Sequence, residues 1–510
     1  MRPFHTLAAV VLGVLCVVAT LDGCGGNKVC NPACTGGATC VDGQCVSNCN
    51  PATCGYDGIC FDGGCVRAHP PAVNCPPPTL IAGGTVGPAS PPASCQKSVR
   101  PTAHPAAQVQ ELGVHPVGQT VTFNVPANST SLTVVSQAVR AWDTIVFEGN
   151  TYGNSVVPDK LRDPSGTVWY DDNVFPPDLE QAYAEYAGNS PVINSFTIPS
   201  TSKAISILRD GGVPPGSWSF LVNDYAYECT YLSGCDGGTD AGEYDIKVLT
   251  QSGPSSSAGT LDLSIYLVET SGLDSGTALT SPSVQRYVQS TTTLFAQQGI
   301  CPGRITFYDV PAWATARYAT SINADRTEPC DLMPQMFTLS QSDSTLNLFW
   351  VSFISGGSGG GTVLGIDGTI PGPSTVGGTI ASGASVSIDD LTSGSCGNSL
   401  SPLTCGADEI AYITAHEAGH WLGLFHTTEA PGIFFDPLSD TPKCVCRTCL
   451  SQTGGCASGS ALVSTSQCNN SRPDCGGSDN LMFWLLGGQA GGKLTPDQGE
   501  VMRRNLVVHQ

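Results

Sequence analysis

The stretch "ITAHEAGHWLGLFHTTEA", residues 413–430, holds three of the chain's eight histidines within eleven positions. On a helix His416 and His420 stand one turn apart on the same face, where two imidazoles can grip one ion. Zinc suits them, because neutral imidazole nitrogens are borderline-soft ligands and zinc accepts tetrahedral geometry. Glu417 lies about 100° around the helix from His416. That places a carboxylate beside the metal, ready to take a proton from water that the metal acidifies. His426 does not fit a continuing helix, where it would sit about 9 Å further along and about 240° around the axis. The chain must stop and turn, and Gly423 supplies the turn, since glycine accepts a positive φ at low steric cost. His426 then swings back as third ligand and leaves a fourth position for water or substrate.

The segment HEAGHWLGLFH (416–426) fits the pattern HExxHxxGxxH and resembles the metzincin zinc metalloproteases. Its filling, GHWLGLFHT, is most similar to the pappalysin (pregnancy-associated plasma protein-A-like) branch. The resemblance covers roughly residues 280–510. It implies an α+β zinc peptidase domain with a mixed sheet, an active-site helix and a methionine in a tight turn beneath the metal. Met482, in DNLMFW (479–484), is the candidate for that turn. It further implies Ca2+ near Asp436 and Thr441 in DPLSDTP (436–442). A protein or peptide substrate would lie extended along an edge strand, for which ASVSIDD (384–390) is the candidate. Where relatives often carry a tyrosine two residues after the methionine, this chain has Trp484, whose indole donates a hydrogen bond but cannot ionise.

Three other readings compete with this one. Gly356-Gly357-Ser358-Gly359-Gly360 matches G-x-S-x-G, but a nucleophile elbow needs a helix next, and TVLGIDGTIPGP supplies none. A non-catalytic adhesin or binding protein on a metzincin scaffold needs a lost ligand or base, and all four residues are present. Zinc-dependent hydrolysis of a non-peptide substrate is compatible with the ligands alone.

With 510 residues the chain is too long for one ordinary domain. Its 60 glycines and 37 prolines, with 12% charged residues, point to a loop-rich, β-rich extracellular protein. A net charge of −21 argues against nucleic acid, whose binding needs Lys and Arg on phosphates. The apolar run Leu7–Leu21 is too short to span a bilayer and reads as a secretory signal, residues 1–23. Leu21-Asp22-Gly23-Cys24 resembles the lipobox of bacterial lipoproteins. That resemblance implies a lipid on Cys24, a membrane held through it, and a protease domain facing outward from the cell envelope. A plain cleaved signal with Cys24 in a disulfide is the alternative.

Setting aside Cys16 and Cys24, the other 22 of the 24 cysteines fall into even local sets. Eight run from Cys30 to Cys65. Cys75 goes with Cys95, Cys229 with Cys235, Cys301 with Cys330 and Cys396 with Cys405. Six run from Cys444 to Cys475. Even sets predict disulfides in an oxidising compartment, ahead of a zinc site built from Cys444, Cys446 and Cys449.

The expected architecture is multidomain. Residues 24–66 hold the anchor cysteine and two Cys-rich, EGF-like repeats, and 67–105 a Pro-rich linker that reads as an extended stalk. Residues 106–270 carry short period-two runs, such as QTVTFNVP and GTLDLSIYLVE, that predict an all-β sandwich of jelly-roll type. Residues 276–510 form the peptidase domain. In it SPSVQRYVQSTTTLFAQQG predicts a helix with Ser281 as N-cap, Pro282 first and Gly299 past the end. LNLFWVSFI (346–354) reads as a buried strand.

Overall fold

A computed structural model of the chain describes residues 73–96, 108–139, 155–171, 190–208, 212–224, 242–252, 258–270, 272–318, 330–341, 344–356, 362–398, 401–451, 454–469, 475–487 and 491–509. It also describes isolated strands at 39–41, 44–46, 58–61, 64–67, 144–147, 150–153, 235–236 and 322–323. Residues 1–23, read from sequence as a signal, and Cys24, Cys229 and Ser358 lie outside the described residues. Each Cys-rich repeat contains a hairpin that puts two cysteines at paired register positions, Cys40 with Cys45 and Cys60 with Cys65.

Residues 73–96 of the Pro-rich segment do not form a stalk. Its proline-free stretch TLIAGGT forms strand β1 (Thr79–Thr85), which pairs in parallel with the distant strand Ile300–Asp309. That pairing also corrects two disulfides. Cys75 bonds Cys301 and Cys95 bonds Cys330, where neighbouring cysteines along the chain had been expected to join. The parallel register carries Cys75 to the start of the partner strand, with Cα atoms 5.3 Å apart. Gly83 is needed here, because a Cβ would fall 2.3 Å from the Tyr308 ring.

Next comes a two-sheet sandwich. Its strands are β2 (Gln108–Pro116), β3 (Thr120–Val125), β4 (Ser129–Ala138), β5 (Ser155–Arg162), β6 (Val168–Tyr170) and β7 (Ile193–Ile198). Helix α1 (Ser202–Leu208) and strands β8 (Gly216–Asp224) and β9 (Glu243–Ser252) complete it. One antiparallel sheet runs β6-β5-β8-β3 and the other β7-β4-β9-β2. The alternation read in QTVTFNVP holds: Val121, Phe123 and Val125 are buried and their neighbours exposed. They meet Trp169, Phe196, Trp218 and Ile246 in one core.

GTLDLSIYLVE does not belong to this sandwich. It forms β10 (Gly259–Leu267) in a different sheet. Helix α2 (Pro282–Ala296) and strands β11 (Ile300–Asp309), β12 (Leu346–Val351), β13 (Gly365–Asp367) and β14 (Ala384–Ser387) follow. Helices α3 (Gly406–Trp421) and α4 (Pro496–Arg503) and strand β15 (Val508–His509) end the chain. The sheet order is β13-β14-β12-β10-β11-β1, with β15 paired to β10. All neighbours are parallel except β13 and β15. Leu261, Leu263, Ile265 and Leu267 do share a face, packed with α2 and α3, but Tyr266 and Val268 are buried on the opposite face. Burial on both faces is the mark of a central parallel strand. LNLFWV of β12 is buried throughout for the same reason.

α2 begins and ends as expected, with Ser281 as N-cap, Pro282 first and Gly299 at φ +75°. It is locked to α3 by a partly buried ion pair. Arg286 donates from Nε and Nη2 to the two carboxylate oxygens of Asp408, at 2.6 and 2.7 Å, and Ser290 adds a third bond. The sandwich rests against the C-terminal region through Val135, Ile193 and Leu249 on Val376, Ile380 and Leu506. Arg504 Nη1 donates to Thr130 O across that contact at 2.9 Å.

Candidate metal centre

The core motif begins where Cys405, bonded to Cys396, caps the N-terminus of α3. The helix starts at Gly406, two residues before the Asp408 expected from sequence, because Gly406 fits tightly against Asp390 O and donates to Ser393 O. It ends at Trp421, and Gly423 then turns the chain at φ +112°. Leu424 N–H donates to Gly419 O and Gly423 N–H to His420 O, both at 2.9 Å. These are the two bonds of a Schellman cap, which satisfies orphan carbonyls while reversing the chain. The reversal brings His426 back over the helix.

The three imidazoles converge. His416 Nε2 lies 3.1 Å from His420 Nε2 and 3.3 Å from His426 Nε2. All three residues are buried. Each Nδ1 faces an oxygen: Leu481 O at 2.6 Å for His416, Leu424 O at 2.7 Å for His420, and Glu429 Oε2 at 3.0 Å for His426. A carbonyl can only accept, so Nδ1 of the first two must carry the proton. Nε2 is then a bare lone pair. Lone pairs crowded at this spacing call for a cation. The edge of a tetrahedron with metal–nitrogen bonds of about 2.0–2.1 Å is about 3.3–3.4 Å, so the donors fit zinc. Burial above all, with His426 adding to it, pushes the His416 pKa down to about 3, against the Leu481 bond, so the ring is neutral and able to ligate.

Beneath the helix runs the turn Asn480–Met482. A Cβ on Gly419 would lie 2.5 Å from Met482 Sδ, so the thioether packs directly under α3. Asn480 Oδ1 accepts from Met482 N–H at 2.8 Å, and its amide pairs with Gln498 of α4. The turn thereby presents Leu481 O to His416, and Tyr412 OH donates to the same carbonyl. Trp484 points elsewhere: its indole N–H donates to Val463 O, inside a small core stapled by Cys444–Cys468, Cys446–Cys456 and Cys449–Cys475. With those cysteines bridged, the CVCRTC zinc alternative falls.

Glu417 is fully buried beside the edge strand β13. A Cβ on Gly365 would lie 2.4 Å from Glu417 Oε1. This corrects the edge-strand candidate: the ASVS of 384–387 forms β14, an interior strand between β12 and β13. The edge comes instead from GID at 365–367, whose antiparallel direction lets it close the sheet.

Asp436 and Thr441 are brought together, the Thr441 hydroxyl donating to Asp436 Oδ1 at 2.6 Å. Asp436 Oδ2 is buried with no hydrogen-bond partner among the described residues. Burial pushes this carboxyl up to about 8, against the Thr441 bond and nearby Lys443. Sequence reasoning missed Glu429 and Gly365. HTTEA carried an acidic residue three positions past His426, but no spacing rule pointed to it. Gly365 was one glycine among many.

No protein-family model and no curated protein matches the chain. Among solved structures it is similar to metalloproteinase-II from Bacteroides fragilis, at 12% identity and a TM-score of 0.18. That match covers 39% of this chain, which spans 60% of the length of the other. It is also similar to a family two carbohydrate esterase from Cellvibrio japonicus, at 10% identity and a TM-score of 0.12, over 49% of this chain and 68% of that one.

Proposed function

We propose that this chain is a zinc-dependent endopeptidase, secreted and held at the cell envelope by a lipid on Cys24. The observation that carries the catalytic reading is the buried convergence of three imidazole Nε2 atoms whose Nδ1 atoms are engaged elsewhere. His416, His420 and His426 would hold the zinc. When bound, zinc supplies a Lewis acid that polarises a peptide carbonyl and lowers the pKa of water.

Glu417 then acts as the proton carrier. Its carboxylate accepts a proton from the attacking water and delivers it to the nitrogen of the leaving amine, general base first and general acid second. The peptide would lie extended along the edge strand β13, taking main-chain hydrogen bonds as an added strand. HEAGHWLGLFH, the Met482 turn beneath the helix and the parallel sheet with an antiparallel edge support a metzincin arrangement. The GHWLGLFHT filling and DPLSDTP favour the pappalysin-like branch. The orphaned oxygen of Asp436 supports a Ca2+ ion at that carboxylate, with Thr441 beside it. The secreted reading rests on the apolar N-terminal run and on the disulfides, the anchor on the lipobox resemblance alone.

The test is zinc content and casein cleavage by the full chain beside Glu417→Ala. Both are expected to bind one zinc, and only the parent chain to cleave. Cleavage by both, or by neither while both hold zinc, overturns the peptidase reading.

A further inference from the structure

The three ligand imidazoles are not anchored alike. His416 and His420 donate Nδ1–H to main-chain carbonyls, which any residue would supply. His426 meets a side chain, the Glu429 carboxylate, at 3.0 Å. It also lies beyond the end of α3, so no helical turn holds its ring. The His426 side chain is 2% exposed and that of Glu429 20%, so this contact is only partly open to water.

Glu429 is itself held in place. Its N–H donates to Phe434 O at 3.0 Å, and its carbonyl accepts from Gly432 N–H at 2.8 Å. Gly432 makes that turn at φ +62°, where a Cβ would fall 2.6 Å from Val463 Cγ1. The disulfide-stapled core behind Val463 therefore backs the loop that presents the carboxylate. A rigid acceptor aimed at Nδ1 fixes both the tautomer and the rotation of the ring.

We infer that Glu429 is a positioning residue for the third metal ligand. It holds His426 with its Nε2 lone pair facing His416, and it adds a negative charge beside an otherwise neutral donor set. A ring nitrogen whose partner N–H is shared with a carboxylate is the better electron donor. The inference rests on the zinc reading of the three histidines.

The test measures Zn2+ affinity of the full chain by competition with a chromogenic chelator. The variants are Glu429→Gln, Glu429→Ala and His426→Ala. Glu429→Ala is expected to weaken Zn2+ binding about 10–100-fold, and Glu429→Gln about tenfold, since the amide oxygen still accepts but carries no charge. Bound Co2+ should show displaced visible absorption bands in Glu429→Ala, and the metal-free melting temperature of Glu429→Gln should match the parent. If the parent binds Zn2+ and His426→Ala weakens it, but both Glu429 variants stay within about twofold of the parent, the role of Glu429 is overturned and the zinc reading stands. If the parent takes up no Zn2+, or His426→Ala binds as tightly, both fall. Should Glu429→Ala not fold, the isosteric Glu429→Gln decides alone.

Discussion

Gly365 and Glu417 meet with no room for a side chain between them. A Cβ on Gly365 would lie 2.4 Å from Glu417 Oε1, 2.7 Å from Cγ and 2.8 Å from Cδ. The edge strand thus brings bare main chain against the carboxylate that the proposed mechanism uses twice. Gly365→Ala must push that carboxylate aside. A displacement near 1 Å at a reacting group costs about a hundredfold, so kcat should fall by about that factor with zinc content unchanged. Peptide cleavage and metal analysis on the same sample check it. A variant with parental kcat would show that Glu417 does not work from this position.

Gly423 is held at φ +112° while a Cβ there would stand 3.2 Å from Val501 Cγ1. Gly423→Val therefore meets both backbone strain and crowding. Strain of this kind costs about 1–3 kcal/mol, and here it would be relieved by unwinding the cap that returns His426. Expected outcomes are a lower melting temperature and weaker zinc binding together. Calorimetry with a zinc titration separates this from simple destabilisation, in which affinity would hold.

Glu409, in the first turn of α3, is pushed up to about 7, chiefly by burial and further by Asp390. The unfolded chain would ionise this group near its ordinary 4.5, while the folded chain keeps the proton until about 7. Between those values the folded state binds more protons, so rising pH favours unfolding. Stability should fall from about pH 4.5 to 7 and then level off, as far as this group is concerned. Glu409→Gln removes the titration. It should match the parent below about pH 4.5 and melt higher at about pH 8. An equal difference at both pH values would rule out this origin.

The parts of the fold legible in the sequence were those whose residues are close along the chain. His416, Glu417, His420 and Gly423 are related by helix geometry, and Pro282 and Gly299 bracket α2 by local chemistry. The parallel sheet was less legible, because its partners are distant. β10 pairs with β12 across about eighty residues, and nothing near Thr79 signals that β1 will sit beside β11. Tyr266 and Val268 were the available sign that β10 is buried on both sides, masked by the cleaner alternation of its leucines. Even cysteine counts said that bridges form, and the same missing pairing hid which ones.

That misplacement bears on where a fragment holding the three histidines can begin. A chain of residues 276–510 would lack β10, the strand between β11 and β12, and would leave both of those with an unpaired edge inside the sheet. It would also lose β1 and the bridges Cys75–Cys301 and Cys95–Cys330. A bridge closing so long a loop stabilises by about 2–4 kcal/mol, and a central parallel strand by more, since both its faces are packed. Residues 276–510 should therefore give no cooperative melt and bind no zinc stoichiometrically, whereas residues 73–510 should melt cooperatively and bind one zinc. Cys75→Ser combined with Cys301→Ser in the longer chain should lower the melting temperature and leave zinc stoichiometry intact. Circular dichroism melts and metal analysis of the three proteins settle the matter. A cooperative, zinc-bound 276–510 fragment would mean that β10 is dispensable and that the C-terminal sheet closes without it.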